Sequence, residues 1–182
     1  MTTSQTKFGQ SDALALQVVT LLQGANDNGF TLCGDNYTFC LNIAPVRQFA
    51  RKLDLTDIPN IGDPVAVQVF PGHDQSDRDG LGGIYNDTYG VHVLMLQHVA
   101  AAAETQCPWL MLLRSQIAEF LSGQGLTLEA ALNRLPSGSL ARVVAVRHGP
   151  EGVYDLARLE STNVFYSDMI LTYKAGGLRR KG

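Results

Sequence analysis

Four histidines, His73, His92, His98 and His148, and three cysteines, Cys33, Cys40 and Cys107, are the side chains of this sequence that could bind a transition metal. Their spacing argues against it. Two thiolates share a zinc ion when about two to four residues separate them, because one tight turn then presents both. Six residues separate Cys33 from Cys40. His92 and His98 fall on one extended segment, roughly 20 Å apart at the rise of a strand, too far to share an ion. The cysteines read as buried thiols in a reducing compartment, being odd in number and outside any disulfide framework.

The run Gln75-Ser76-Asp77-Arg78-Asp79-Gly80 resembles part of a calcium loop, with carboxylates third and fifth and glycine sixth. The first ligand position holds Gln75 and the bidentate position Asn86, so a solvated acidic loop is expected instead. Nucleophilic catalysis needs a Ser or Cys held on a sharp turn beside a base, and no Gly-x-Ser-x-Gly occurs. Gly80-Leu81-Gly82-Gly83 lacks the Lys and Ser or Thr of a phosphate loop. No catalytic constellation, cofactor motif or metal-ligand set rises above background, and the chain reads as a non-enzyme.

The elements around these residues suit a single domain of 182 residues, 45% apolar and 17% charged, which can bury a core. A net charge of -3 gives no reason to expect nucleic-acid binding, and the basic tail Arg179-Arg180-Lys181 reads as a solvated terminus. No apolar run is long enough to cross a bilayer, and residues 1–10 carry no signal-peptide pattern, so a cytosolic chain without a membrane partner is expected. Residues 1–10 and 176–182 are expected as flexible termini.

Ser11 and Asp12 are placed to cap a helix carrying Leu14, Leu16, Val18, Val19, Leu21 and Leu22 on one broad face, which Gly24 would end. Residues 24–36 read as loop with a short strand at 30–33, and residues 37–43 as extended. The stretch from Pro45 carries Phe49 and Leu53 and turns at 55–59. Pro64 opens a strand through Val65, Val67 and Val69, stopped by Pro71 and Gly72. Residues 72–84 are expected as a polar loop, too rich in Gly and Asp for a strand. A long strand at 85–96 follows, apolar on both faces and hence central. A second helix is expected from about Thr105 or Cys107 to Ser122, with Pro108 in its first turn and Leu110, Leu113, Ile117, Phe120 and Leu121 as its buried stripe. Residues 126–135 suggest a shorter helix or turn, 141–146 a strand, 155–160 a turn or short helical link, and 164–174 a closing strand. The inward row of that strand is Phe165, Met169, Leu171 and Tyr173, with Ser167 interrupting it. This order predicts an α+β fold, a mostly antiparallel sheet packed by two main helices, in one domain.

Several stretches, in order across residues 39–174, carry a family resemblance. They are Ala44-Pro45-Val46-Arg47-Gln48-Phe49 with Leu53-Asp54-Leu55-Thr56-Asp57-Ile58, then Val65-Ala66-Val67-Gln68-Val69-Phe70-Pro71, then Asp87-Thr88-Tyr89-Gly90-Val91-His92-Val93. The helix at 110–121 and the strand Val164-Phe165-Tyr166-Ser167-Asp168-Met169-Ile170-Leu171-Thr172-Tyr173-Lys174 complete the set, the last being the most specific. Together they resemble the tail terminator, or tail completion, proteins of tailed bacteriophages, also described as minor tail or neck proteins. Residues 24–36, 126–139 and the basic tail depart from the pattern.

The resemblance implies a structural virion protein without cofactors, assembled in host cytoplasm. Such proteins form a ring, usually a hexamer, that caps the tail tube, stops its polymerisation and gives the head a joining surface. The implied partners are further copies of itself, the tube protein, a connector or stopper protein, a sheath protein where the tail has one, and genomic DNA passing through the lumen without sequence-specific binding. The alternative is another neck component, or the cap of a phage-tail-like contractile particle. Within this frame residues 72–83, with Asp74, Asp77, Arg78 and Asp79, are expected to face the tube, the lumen or a neighbouring subunit. Removing residues 74–79 is expected to leave the fold and impair tail joining.

Overall fold

The computed structural model describes residues 9–27, 30–32, 35–37, 39–43, 65–79, 84–99, 103–129 and 139–175. The stretch expected at 45–59, the glycine run at 80–83, residues 130–138, Cys33 and the basic tail lie outside the described residues. The elements in chain order are α1 (Gln10–Asp27), β1 (Phe30–Leu32), β2 (Asp35–Tyr37), β3 (Phe39–Ile43), β4 (Val65–Asp79), β5 (Ile84–His98), α2 (Ala103–Ser122), β6 (Gly125–Thr127), β7 (Leu140–His148), α3 (Leu156–Thr162) and β8 (Val164–Ala175).

The fold is α+β. One sheet runs β3-β4-β5-β8-β7-β6, and β1 and β2 form a separate hairpin. The β3–β4 pairing at one edge is parallel and the other pairings of the sheet are antiparallel. β5 is central, as its two apolar faces predicted, lying between β4 and β8.

The period of two along each strand puts Val65, Val67, Val69, Val91, Val93, Met95, Phe165, Met169, Leu171 and Tyr173 into one core cluster. Leu14, Val18 and Leu22 of α1 and Leu110, Leu113, Ile117 and Leu121 of α2 belong to the same cluster, each helix offering one stripe at helical spacing. Burying such a side chain is worth about 1.5–3 kcal/mol, so this layer is the main source of stability. The reverse face of the sheet carries a smaller cluster, Leu94, Leu96 and Val164, with Ala66, Phe70 and Tyr166 packed against it.

Where element boundaries depart from the sequence reading, tertiary partners override local signals. α1 begins at Gln10, 1% exposed and inside the stretch expected to be flexible, and it runs past Gly24 to Asp27. α2 starts at Ala103, so Pro108 lies inside the helix, where the missing N–H costs a backbone bond.

The largest correction concerns residues 72–84. They are not a polar loop: β4 continues to Asp79 and pairs with β5 out to Asp79↔Ile84. A register shift between Pro71 and Asp74 absorbs the proline, and beyond it antiparallel bonding satisfies the backbone despite the poor strand propensity of Asp and Ser. The last pairs, from Ser76↔Asp87 outward, project past the pairing of Thr88 with Lys174 on β8, and on the other side β3 flanks β4 only at Val65–Val69. Among the described residues this ribbon has no strand beside it.

Candidate functional site

Asp77, Arg78 and Asp79 belong to this ribbon and Asp74 to the stretch of β4 at its root, and none of them to a loop. The carboxylate of Asp74 is engaged within the subunit. Its Oδ2 accepts from the Gln10 amide at 3.0 Å and its Oδ1 from the Ser11 amide at 3.0 Å. Those are orphan donors of a helix N-terminus, where negative charge also meets the favourable end of the helix dipole. The expected caps Ser11 and Asp12 are thus displaced by a residue from the other end of the chain's first half. A Cβ on Gly9 would stand 2.5 Å from Asp74 Oδ2, which explains the glycine ahead of the helix. Asp74 latches α1 to the root of the ribbon.

α1 closes a second boundary of the sheet. Gln17 Nε2 donates to the Thr127 carbonyl at 2.7 Å while its Oε1 accepts from the Thr127 amide at 2.9 Å. Gln10 treats Glu129 the same way, at 2.9 and 3.2 Å. Side-chain amides here stand in for a neighbouring strand, and the outer edge of β6 and its continuation is covered. β7 is different. Its pairing with β6 ends at Arg142, and among the described residues no strand lies against residues 143–148 on the side away from β8. Val144 and Val146 there are 57% and 37% exposed.

The sequence reading did not single out Arg114. It occupies the buried stripe of α2 and is 5% exposed. Its Nε–H donates to the Ser167 hydroxyl at 2.9 Å, and Ser167 donates to the Val153 carbonyl at 2.5 Å. The break in the apolar row of β8 is therefore the seat of a buried cation. Arg114 Nη2 lies 2.7 Å from His148 Nδ1. A guanidinium only donates, so His148 accepts at Nδ1 and its proton sits on Nε2. Burial holds the Arg114 pKa below its usual range, with the charge of Asp168 acting in the opposite direction. The legible signal was positional: Leu110, Arg114, Ile117 and Leu121 share one helical face.

On the reverse face His92 Nδ1 lies 3.1 and 3.0 Å from the two carboxylate oxygens of Asp168, and its ring stacks on Phe70 with centroids 4.7 Å apart. An ionised carboxylate accepts, so Nδ1–H points to Asp168 and the imidazole is fixed in orientation. His73 lies over Gly90, where a Cβ would meet its Nδ1 at 2.6 Å. His98 and Cys107 join neither His92 nor His148 in a ligand set: no group of three or more His, Cys, Asp or Glu among the described residues could hold a metal ion. The Cys107 thiol is half-buried and burial pushes its pKa up, away from the reactive thiolate. No helix among the described residues is long and apolar enough to cross a membrane. No family model matches the chain, and no curated protein matches it.

Proposed function

We propose that this chain is a structural, ring-forming subunit from the neck of a tailed bacteriophage, a tail terminator that caps the tube and presents the surface for head joining. The ribbon of β4 and β5 is the observation that carries the reading. It projects beyond its own sheet, bears Asp77, Arg78 and Asp79, and is braced at its root by the Asp74 latch. An isolated two-stranded ribbon is marginally stable alone, and one that projects past its sheet from a braced root fits a contact surface between molecules. The core strand β8, whose sequence carries the most specific part of the resemblance, supports the same reading by building the sheet on which the ribbon sits.

The working partners are further copies of the chain, the tube protein and the connector or stopper that joins the head, with DNA passing through the ring. Acidic residues on a lumen-facing ribbon would repel passing DNA and leave it mobile. The experiment is a pull-down with purified tube protein. Retention of the chain on assembled tubes at their ends supports termination. Binding to a connector and not to tubes would move the protein elsewhere in the neck.

A further inference from the structure

We infer that the projecting ribbon of one subunit pairs with the open edge of β7 in the next, so that every ring interface is head to tail. This rests on the ring-forming reading above and names the two surfaces that make the ring. β7 beyond Arg142 offers a row of backbone groups with no strand against them among the described residues, flanked by the exposed Val144 and Val146. Such edges recruit strands from other chains. The register shift between Val143 and Ala145 and the exposed Arg142 and Arg147 are devices that discourage indiscriminate pairing. They favour an acidic strand, and the ribbon supplies Asp77 and Asp79.

The lengths agree. The ribbon overhang runs from Ser76↔Asp87 to Asp79↔Ile84, and the regular part of the β7 edge runs from Ala145 to His148, each about 13 Å at the rise of a strand. The two surfaces lie at opposite ends of the sheet. The ribbon extends from the end where Ala141 pairs with Ala175, and the open edge leads to the end where His148 pairs with Met169. A surface that meets a different surface on its neighbour gives a heterologous interface, which closes into a ring when the rotation permits. The occupant of the β7 edge is thus a second copy of this chain.

Charge exchange tests the inference. The variants are Asp77→Lys with Asp79→Lys, Arg142→Glu with Arg147→Glu, and all four substitutions together, each checked by circular dichroism for a wild-type fold. Each is added to tubes assembled without the chain, and capped ends are counted by negative-stain microscopy. Either pair alone should reduce capping about tenfold or more. The fourfold variant, and a mixture of the two pair variants, which can alternate around a ring, should restore it. Wild-type capping by both pair variants, or loss without restoration, overturns the inference and leaves termination standing. Failure of the wild-type chain to cap overturns the terminator reading and this inference with it. A direct measurement covers variants that do not fold: a short bismaleimide should link Asp79→Cys/Val146→Cys chains into a ladder up to the closed ring. Either single substitution should give no ladder beyond the wild-type background, and a double variant without one contradicts the pairing.

Discussion

The Nε–H of Arg114 on α2 donates to the Ser167 hydroxyl of β8 at 2.9 Å, tying the helix to the strand through a buried polar bond in an otherwise apolar layer. Removing one partner of such a bond leaves the other desolvated and unsatisfied. Ser167→Ala should cost about 1–3 kcal/mol of stability, and Arg114→Met with Ser167→Ala together should cost less than the single change. Urea unfolding of the two variants checks this, and a double variant less stable than Ser167→Ala alone would contradict it.

Tyr173 is 0% exposed, and its hydroxyl has no hydrogen-bond partner among the described residues. Burial raises its pKa well above the ordinary 10.0, so the folded chain keeps the phenol neutral while the unfolded chain ionises it. The unfolded state then binds fewer protons, and stability contributed by this group is present below pH 10.0 and is lost as pH rises above it. Tyr173→Phe should raise stability at neutral pH by roughly 1 kcal/mol and flatten the alkaline decline. Thermal unfolding between neutral and strongly alkaline pH reads both effects.

Asp74 holds the amides of Gln10 and Ser11, so Asp74→Ala should lower stability by about 1–2 kcal/mol, with Asp74→Asn recovering part of it. Faster amide exchange confined to the start of α1 would locate the loss. Deleting residues 74–79 would release α1 as well as the ribbon, contrary to the expectation that the fold is untouched. Substitutions at Asp77 and Asp79 are therefore the cleaner probes of assembly.

These cases show what sequence patterns carry. The inward row Phe165, Met169, Leu171 and Tyr173 was legible because a half-buried strand alternates, and all of it is core. The stripes of α1 and α2 were legible for the matching helical reason. Side-chain polarity reports exposure, not backbone pairing, so the extension of β4 through Asp79 was read as loop. The helix cap at Asp74 and the partner of Ser167 come from residues distant in sequence, and local signals do not reach them. Ser167 and Arg114 each broke an apolar row, and paired polar breaks in two facing rows are the trace such a contact leaves. The ribbon tip at 77–79 was singled out for its acidity, while its projection from the sheet came only with the register of β4 on β5.

Termination is the central claim, and tail length measures it most directly. Tails assembled in cells lacking this chain, viewed by negative-stain microscopy, should run on to variable and excessive lengths without heads, and supplying the chain should restore a single length. Tails of normal, uniform length with detached heads would contradict termination and assign the protein to the head-joining side of the neck.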